Sequence, residues 1–190
     1  MIMVLQGAIY VEQFGVYDLV GWYTGFATFR EVGPMLIGLM FSGRVGANNT
    51  SELATMRVTE QLDALRILAL DPYEVLVLPR AAAMVIALTA LVILGDAVAI
   101  GAGALCARLL LHVDYGFFYR SLVERLDPSD FLMGVEKALV FGLVVAVVSS
   151  HFGMSARGGS TGVGRAVNAQ VVGCAVALFA ADYFMTSVVR

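Results

Sequence analysis

Six charged side chains lie within or at the edges of long apolar segments. They are Arg30, Glu31, Asp96, Glu136, Lys137 and Asp182. A charge near the centre of a membrane-spanning helix costs at least ~2.5–3.5 kcal/mol on insertion scales, so such a residue is usually paired or faces a cavity. Two interpretations stay open. The side chains line a polar pathway, or they form structural ion pairs, with Asp96 and Asp182 as candidate partners of Lys137.

Arg30 and Glu31 stand directly before the pair Gly33-Pro34. Proline frees a backbone carbonyl and kinks a helix, which is tolerated where the helix lines a cavity. The pair therefore indicates either a polar lining near the outer half of a span or two side chains that extend to the membrane surface.

Catalytic groups are not apparent in the sequence. His112 and His151 lie near the ends of apolar segments, without a Ser-His-acid set or a metal-ligand cluster. The run Gly159–Ala166 imitates a phosphate-binding loop but lacks the Lys and the following Ser/Thr that contact phosphate and magnesium. We interpret it as a flexible cytoplasmic turn, and we expect no cofactor, no metal and no ATP hydrolysis by this chain alone.

The composition is that of a membrane protein. Of 190 residues, 59% are hydrophobic and only 14% are charged, against about 25% charged in a soluble domain. The mean hydropathy is +0.84. A net charge of −3 offers no basic surface to a nucleic acid.

Four apolar segments are long enough to span a bilayer, which takes about 20 helical residues. They are residues 22–42, 81–107, 131–152 and 167–189. Residues 1–11 are apolar but too short, and we interpret them as the second half of a further span, so that the chain is expected to start inside one. Small residues recur every fourth position in each full span, which favours close helix packing. The predicted fold is all-α, a bundle of about five transmembrane helices with the first truncated.

The connecting segments set the orientation. Residues 43–80 and 151–166 hold four and two arginines, whereas residues 108–130 hold three. The positive-inside rule therefore places the first two segments in the cytoplasm.

The segment 52–70 has helical periodicity. Val58, Leu62, Leu65 and Ala69 repeat at intervals of four, three and four, and Asp71-Pro72 ends the pattern. Arg57, Glu60 and Gln61 share another face. This predicts one amphipathic helix at the cytoplasmic membrane surface, which either covers the end of the bundle or docks a soluble partner.

Five short motifs together resemble the MlaE (YrbE) permease family, the membrane subunits of ABC transporters that work with MCE-domain proteins. They are Arg30-Glu31-Val32-Gly33-Pro34, Gly43-Arg44-Val45-Gly46, the run from Glu52 to Leu65 with Met56-Arg57-Val58-Thr59-Glu60-Gln61, Asp71-Pro72, and Pro79-Arg80. The resemblance extends from about residue 1 to the C-terminus.

This resemblance implies a single permease domain over residues 1–190, forming a homodimer in the bacterial inner membrane. Cytoplasmic ABC ATPases would drive it, and a periplasmic MCE-domain protein would receive or deliver phospholipids or related hydrophobic molecules moving between the inner and outer membranes. Residues 50–70 would be the coupling helix, with Arg57, Glu60, Gln61 and Asp63 at the ATPase.

The resemblance also implies a lipid cavity at the dimer centre. Its candidate residues are Met3, Tyr10, Phe14, Arg30 and Glu31. Met3, Tyr10 and Phe14 belong to one helical face whose spacing suits acyl chains.

Two other functions stay open from the residues alone. The first is an ion-coupled secondary carrier that uses Asp96, Glu136, Lys137 and Asp182. Inverted repeats would favour that function, and none is convincing in this chain. The second is a purely structural assembly subunit.

Overall fold

The computed structural model describes Val4 and residues 20–188, and every regular element among these residues is helical. We number the α-helices in chain order. They are α1 Val20–Ala27, α2 Gly33–Phe41, α3 Ala47–Val58, α4 Gln61–Ile67, α5 Leu78–Leu111, α6 Tyr115–Arg125, α7 Pro128–Met154 and α8 Gly159–Val188. The all-α prediction is confirmed.

Three helices in the described part of the chain are long and apolar enough to cross a membrane. They are Tyr73–Leu110, Pro128–Met154 and Gly159–Val188. These contain the predicted spans 81–107 and 131–152, and residues 167–188 of the third. The predicted N-terminal half-span, residues 1–11, lies outside the described residues apart from Val4.

The predicted span 22–42 lies in a helical run that continues from Val20 to Val58 through two π-helical turns, Thr28–Val32 and Ser42–Gly46. In the first turn the N–H of Gly33 donates to the carbonyl oxygen of Thr28, five residues back. This turn ends at Val32, two residues before Pro34, which has no N–H to donate. The wider turn is the local adjustment by which the helix accommodates the proline.

Two connections differ from the sequence-based expectation. The run Gly159–Ala166 is the first part of α8 rather than a flexible turn, and the chain reverses through Gly158 and Gly159, which both have positive φ. The segment 108–130 contains the helix α6, whose N-cap Asp114 accepts a hydrogen bond from the N–H of Gly116. Within α6, a hydrogen bond from Arg120 to Glu124 raises the pKa of Arg120.

The predicted single helix over 50–70 is wrong, because the chain breaks at Glu60. Helix α3 ends at Val58, and α4 begins at Gln61. Glu60 adopts the left-handed conformation with φ 61° and ψ 13°. The side chain of Thr59 donates to the carbonyl oxygen of Thr55 at 2.8 Å, the kind of local bond by which Thr bends or ends a helix. The spacing of apolar residues gives no sign of this break, because the break depends on a backbone conformation and a side-chain hydrogen bond.

The chain forms two compact units. The first contains the described residues up to Pro34 together with 91–136, and its core includes Val20, Ile100, Ala104 and Phe118. The second contains 35–90 with the described residues from 137 onward, and its core includes Phe41, Leu88, Phe141 and Leu178.

Small residues give the close helix contacts that their spacing predicts on α7. The series Gly134, Ala138, Gly142 and Ala146 is buried, and a Cβ on Gly142 would lie 2.7 Å from the backbone of Val85. On α8 the buried row is a different one. It is Gly162, Ala166, Gln170, Cys174 and Leu178, whereas the predicted series Gly173, Ala177, Ala181 is only half-buried.

Candidate functional site

The break between α3 and α4 forms an exposed, charged elbow, by which we mean residues 57–66. The carboxylate of Asp63 accepts from Arg57 at 3.1 Å and from Arg66 at 3.2 Å. One bond reaches back across the break and the other lies within α4. Asp63 therefore braces the angle between the two helices.

The same elbow separates the four residues predicted to contact an ATPase. Glu60 and Gln61 are exposed at its tip, and Arg57 and Asp63 pair with each other below it. Leu62 is buried with 1% exposure and anchors the start of α4. The elbow thus exposes a carboxylate and an amide at the break between α3 and α4.

Arg30 has an acidic partner that the sequence analysis did not single out. Its guanidinium lies 3.3 Å from Asp130 Oδ1 and 5.4 Å from the centre of the Phe26 ring. Asp130 was assigned to a loop, but it lies in the first turn of α7, where a carboxylate is favoured by the helix dipole. The sequence signal for this placement was Asp127-Pro128, a typical helix start.

Lys137 pairs with Asp182, one of its two candidate partners. The ammonium lies 2.8 Å from Asp182 Oδ1 and donates to Thr186 Oγ1 at 2.8 Å. The Lys137 side chain is fully buried. Glu136, its neighbour in sequence, is exposed.

Asp96 belongs to the buried row of α5. Its carboxyl packs against the α-carbon of Gly33, beside the first π-helical turn, so that a Cβ at Gly33 would collide with Asp96 Oδ1. Oδ1 of Asp96 has no hydrogen-bond partner among the described residues.

The remaining predicted cavity residues, Met3, Tyr10 and Phe14, lie outside the described residues. The described part of the chain contains no group of three or more His, Cys, Asp or Glu side chains able to hold a metal ion.

The model of the family described as permease MlaE matches residues 1–188, and the chain belongs to that family. A probable ABC transporter permease of Rickettsia conorii is 36% identical over 185 residues, which cover 97% of this chain and 71% of the relative.

Two photosynthetic organisms have similar proteins. A probable ABC transporter permease of Synechocystis is 32% identical, covering 98% of this chain and 71% of its own length. The chloroplast protein trigalactosyldiacylglycerol 1 of Arabidopsis thaliana is 32% identical, covering 91% of this chain and 49% of its own. Membership of an ABC permease family implies that a separate ATPase drives transport.

Proposed function

We propose that this chain is the non-catalytic permease of an ABC transporter that moves phospholipids or related hydrophobic molecules between two membranes. In this proposal it forms a homodimer in a bacterial inner membrane, with cytoplasmic ATPases on one side and an MCE-domain protein on the other. The observation that carries the proposal is the family match over residues 1–188. The name of the Arabidopsis relative is that of a galactolipid, which supports a glycerolipid as the cargo.

The ATPase docks at the elbow in this proposal. Glu60 and Gln61 are exposed, and the ion pairs of Asp63 with Arg57 and Arg66 favour one angle between α3 and α4. A braced contact is what force transmission requires, since a free surface helix would absorb motion of the partner by swinging. Burial of Glu60 against a cationic or N–H donor of the ATPase would make a charge-assisted hydrogen bond, worth about 1.5–3 kcal/mol.

The lipid site lies along the helix that carries Arg30 and Glu31, together with Met3, Tyr10 and Phe14. The Arg30 guanidinium is paired with Asp130 and keeps 24% exposure, and a guanidinium is a group that recognises phosphate. The apolar faces beside it suit acyl chains.

Co-purification and lipid-dependent ATP turnover test the coupling role of Glu60. Glu60→Lys reverses the exposed charge without touching the buried face, so the permease still inserts but loses the ATPase. Glu60→Ala has a smaller effect of the same kind. Glu124→Lys is the matched control, because it reverses an exposed glutamate on α6, which the orientation places on the other side of the membrane. If Glu60→Lys keeps wild-type assembly and ATP turnover, the elbow does not couple the permease to the ATPase.

The energy source separates this proposal from an ion-coupled carrier. Vesicles containing the permease and its ATPase move lipid with ATP and without an ion gradient if the proposal is right. Movement that needs a proton or sodium gradient and ignores ATP contradicts it.

A further inference from the structure

A buried polar network connects the helix before the elbow with two other helices of the second unit. Its members are Asn49, Thr50, Arg80, Ser149 and Ser150, and we call it the Asn49 network. Four of them are almost fully buried: exposure is 4% for Asn49, 0% for Thr50 and Ser149, and 6% for Ser150. Buried polar groups must find partners inside the protein.

Asn49 is the centre of the network because its side-chain amide forms hydrogen bonds with three other members. Its Nδ2 donates to Ser149 Oγ at 2.8 Å and to Ser150 Oγ at 3.5 Å. Its Oδ1 accepts from the Arg80 guanidinium at 3.1 Å. Thr50 adds a bond from its hydroxyl to the carbonyl oxygen of Ser149 at 2.9 Å. Helix α3 is thereby tied to the start of α5 and to the last turns of α7.

Close backbone contact reinforces these bonds. A Cβ on Gly153 of α7 would lie 2.7 Å from Leu53 Cβ and 3.2 Å from the carbonyl oxygen of Thr50. Arg80 also forms an ion pair with Glu52 at 3.1 Å, one turn along α3 from Asn49. The contact therefore has both a tight van der Waals surface and directional bonds along one face of α3.

Directional bonds do here what apolar packing does not. Apolar burial is non-directional, so hydrogen bonds add a directional constraint to the shape complementarity of the packed helices. A saturated amide with a charge-assisted partner has a single favourable register. Helix α3 ends at Val58, two residues before Glu60, so a displacement of the elbow is passed directly to α3.

We propose that Asn49 is a positioning residue for transport: its network fixes the register of α3 against α5 and α7, so that movement of the ATPase at the elbow reaches the membrane helices. This inference rests on the proposed function and assigns a role to a residue that touches neither ATPase nor lipid. Without Asn49, α3 still packs through the fully buried Leu53 and Ala54 and keeps the bonds from Thr50 to Ser149 and from Arg80 to Glu52, but it loses the one amide that bonds to α5 and α7 together.

The measurement is the amount of lipid moved per ATP hydrolysed. The complex of permease and ATPase is reconstituted in vesicles of phosphatidylethanolamine and phosphatidylglycerol with a fluorescent phospholipid. Asn49→Ala lowers this ratio by roughly tenfold, the effect of about 1.4 kcal/mol. Asn168→Ala leaves it unchanged, because Asn168 is an exposed residue of α8 outside the Asn49 network. Asn49→Asp restores part of the ratio, since a carboxylate still accepts from Arg80 but cannot donate to Ser149 Oγ, whose own proton bonds to the carbonyl oxygen of Ala146.

A merely structural role gives a different result. If Asn49→Ala lowers the yield of folded complex while lipid moved per ATP stays at the wild-type value, the inference is overturned. If that variant does not assemble, Ser149→Ala removes the bond from Asn49 and the bond from Ser149 to the Ala146 carbonyl oxygen, and leaves Ser150 and Arg80 in place. A wild-type ratio with that variant also overturns the inference. If the wild-type complex moves no lipid with ATP, the proposed function itself fails, which the wild-type arm reveals before any variant is compared.

Discussion

Lys137 Nζ lies 2.8 Å from Asp182 Oδ1, and the lysine side chain is fully buried. Breaking a buried pair from one side leaves an uncompensated charge. We therefore expect Asp182→Asn to lower the free energy of unfolding by about 3 kcal/mol, the lower end for buried pairs because Asp182 keeps 20% exposure. Thermal unfolding in detergent measures this.

The matched control for that variant is Glu124→Gln, which breaks the exposed ion pair with Arg120 and leaves the melting temperature unchanged. Equal melting temperatures for Asp182→Asn and wild type would mean that the Lys137–Asp182 pair does not stabilise the fold. Unfolding of the double variant Lys137→Met/Asp182→Leu shows whether apolar side chains replace the pair without loss.

Gly33 is a position where the absence of a side chain matters. A Cβ there would collide with Asp96 Oδ1 and would lie 2.7 Å from the carbonyl oxygen of Thr28. Gly33→Ala should destabilise the protein by about 1–3 kcal/mol, as overpacking does. Gly101→Ala is the control, since a Cβ there meets nothing within 4 Å and alanine favours the helix. Equal melting temperatures for the two variants would contradict the contact.

Asp130 holds the guanidinium of Arg30 at 3.3 Å from a largely buried position. Asp130→Asn should cost about 1.5–3 kcal/mol, the range for hydrogen bonds to charged groups. Asp127→Asn, three residues earlier and exposed, should cost far less. Chemical or thermal unfolding of both variants in the same detergent decides the matter, and similar losses would count against a specific Arg30–Asp130 bond.

Glu60 combines an exposed carboxylate with a left-handed backbone that disfavours any residue except glycine. Glu60→Gly should therefore raise stability, by at most about 1 kcal/mol once the extra freedom of the unfolded chain is subtracted, while binding of the ATPase falls. Ala64→Gly, in the middle of α4 and exposed, should lower stability by about 1 kcal/mol. A melting temperature that falls with Glu60→Gly would refute the left-handed assignment.

Cysteine labelling tests the orientation without removing natural cysteines, because Cys106 and Cys174 are buried. Ser160→Cys, at the start of α8, should react with a membrane-impermeant maleimide only from the cytoplasm. Ser129→Cys, at the start of α7, should react only from outside; both serines are exposed. Reversed reactivity at both positions would invert the topology.

The sequence by itself determined the class of structure. Residues 81–107 and 131–152 are predicted as spans and lie within observed helices, because an apolar run of bilayer length has a helix as its stable form in lipid. The motif around Arg30 and Glu31 and the run from Glu52 to Leu65 indicated the family, which the match over residues 1–188 confirms. Apolar runs and short motifs each lie within one contiguous segment, so they can be read directly from the sequence.

Only the tertiary structure decided which side chains meet. Asn49 and Ser149 are 100 residues apart, and so are Arg30 and Asp130, so that no periodicity links them. Lys137 had two acidic candidates until packing brought Asp182 to it. The break at Glu60 has a local cause, yet the helical spacing of the apolar residues continues across it. A pairing in the membrane depends on helix rotation and register, which packing of whole helices determines and which the order of residues in one segment does not.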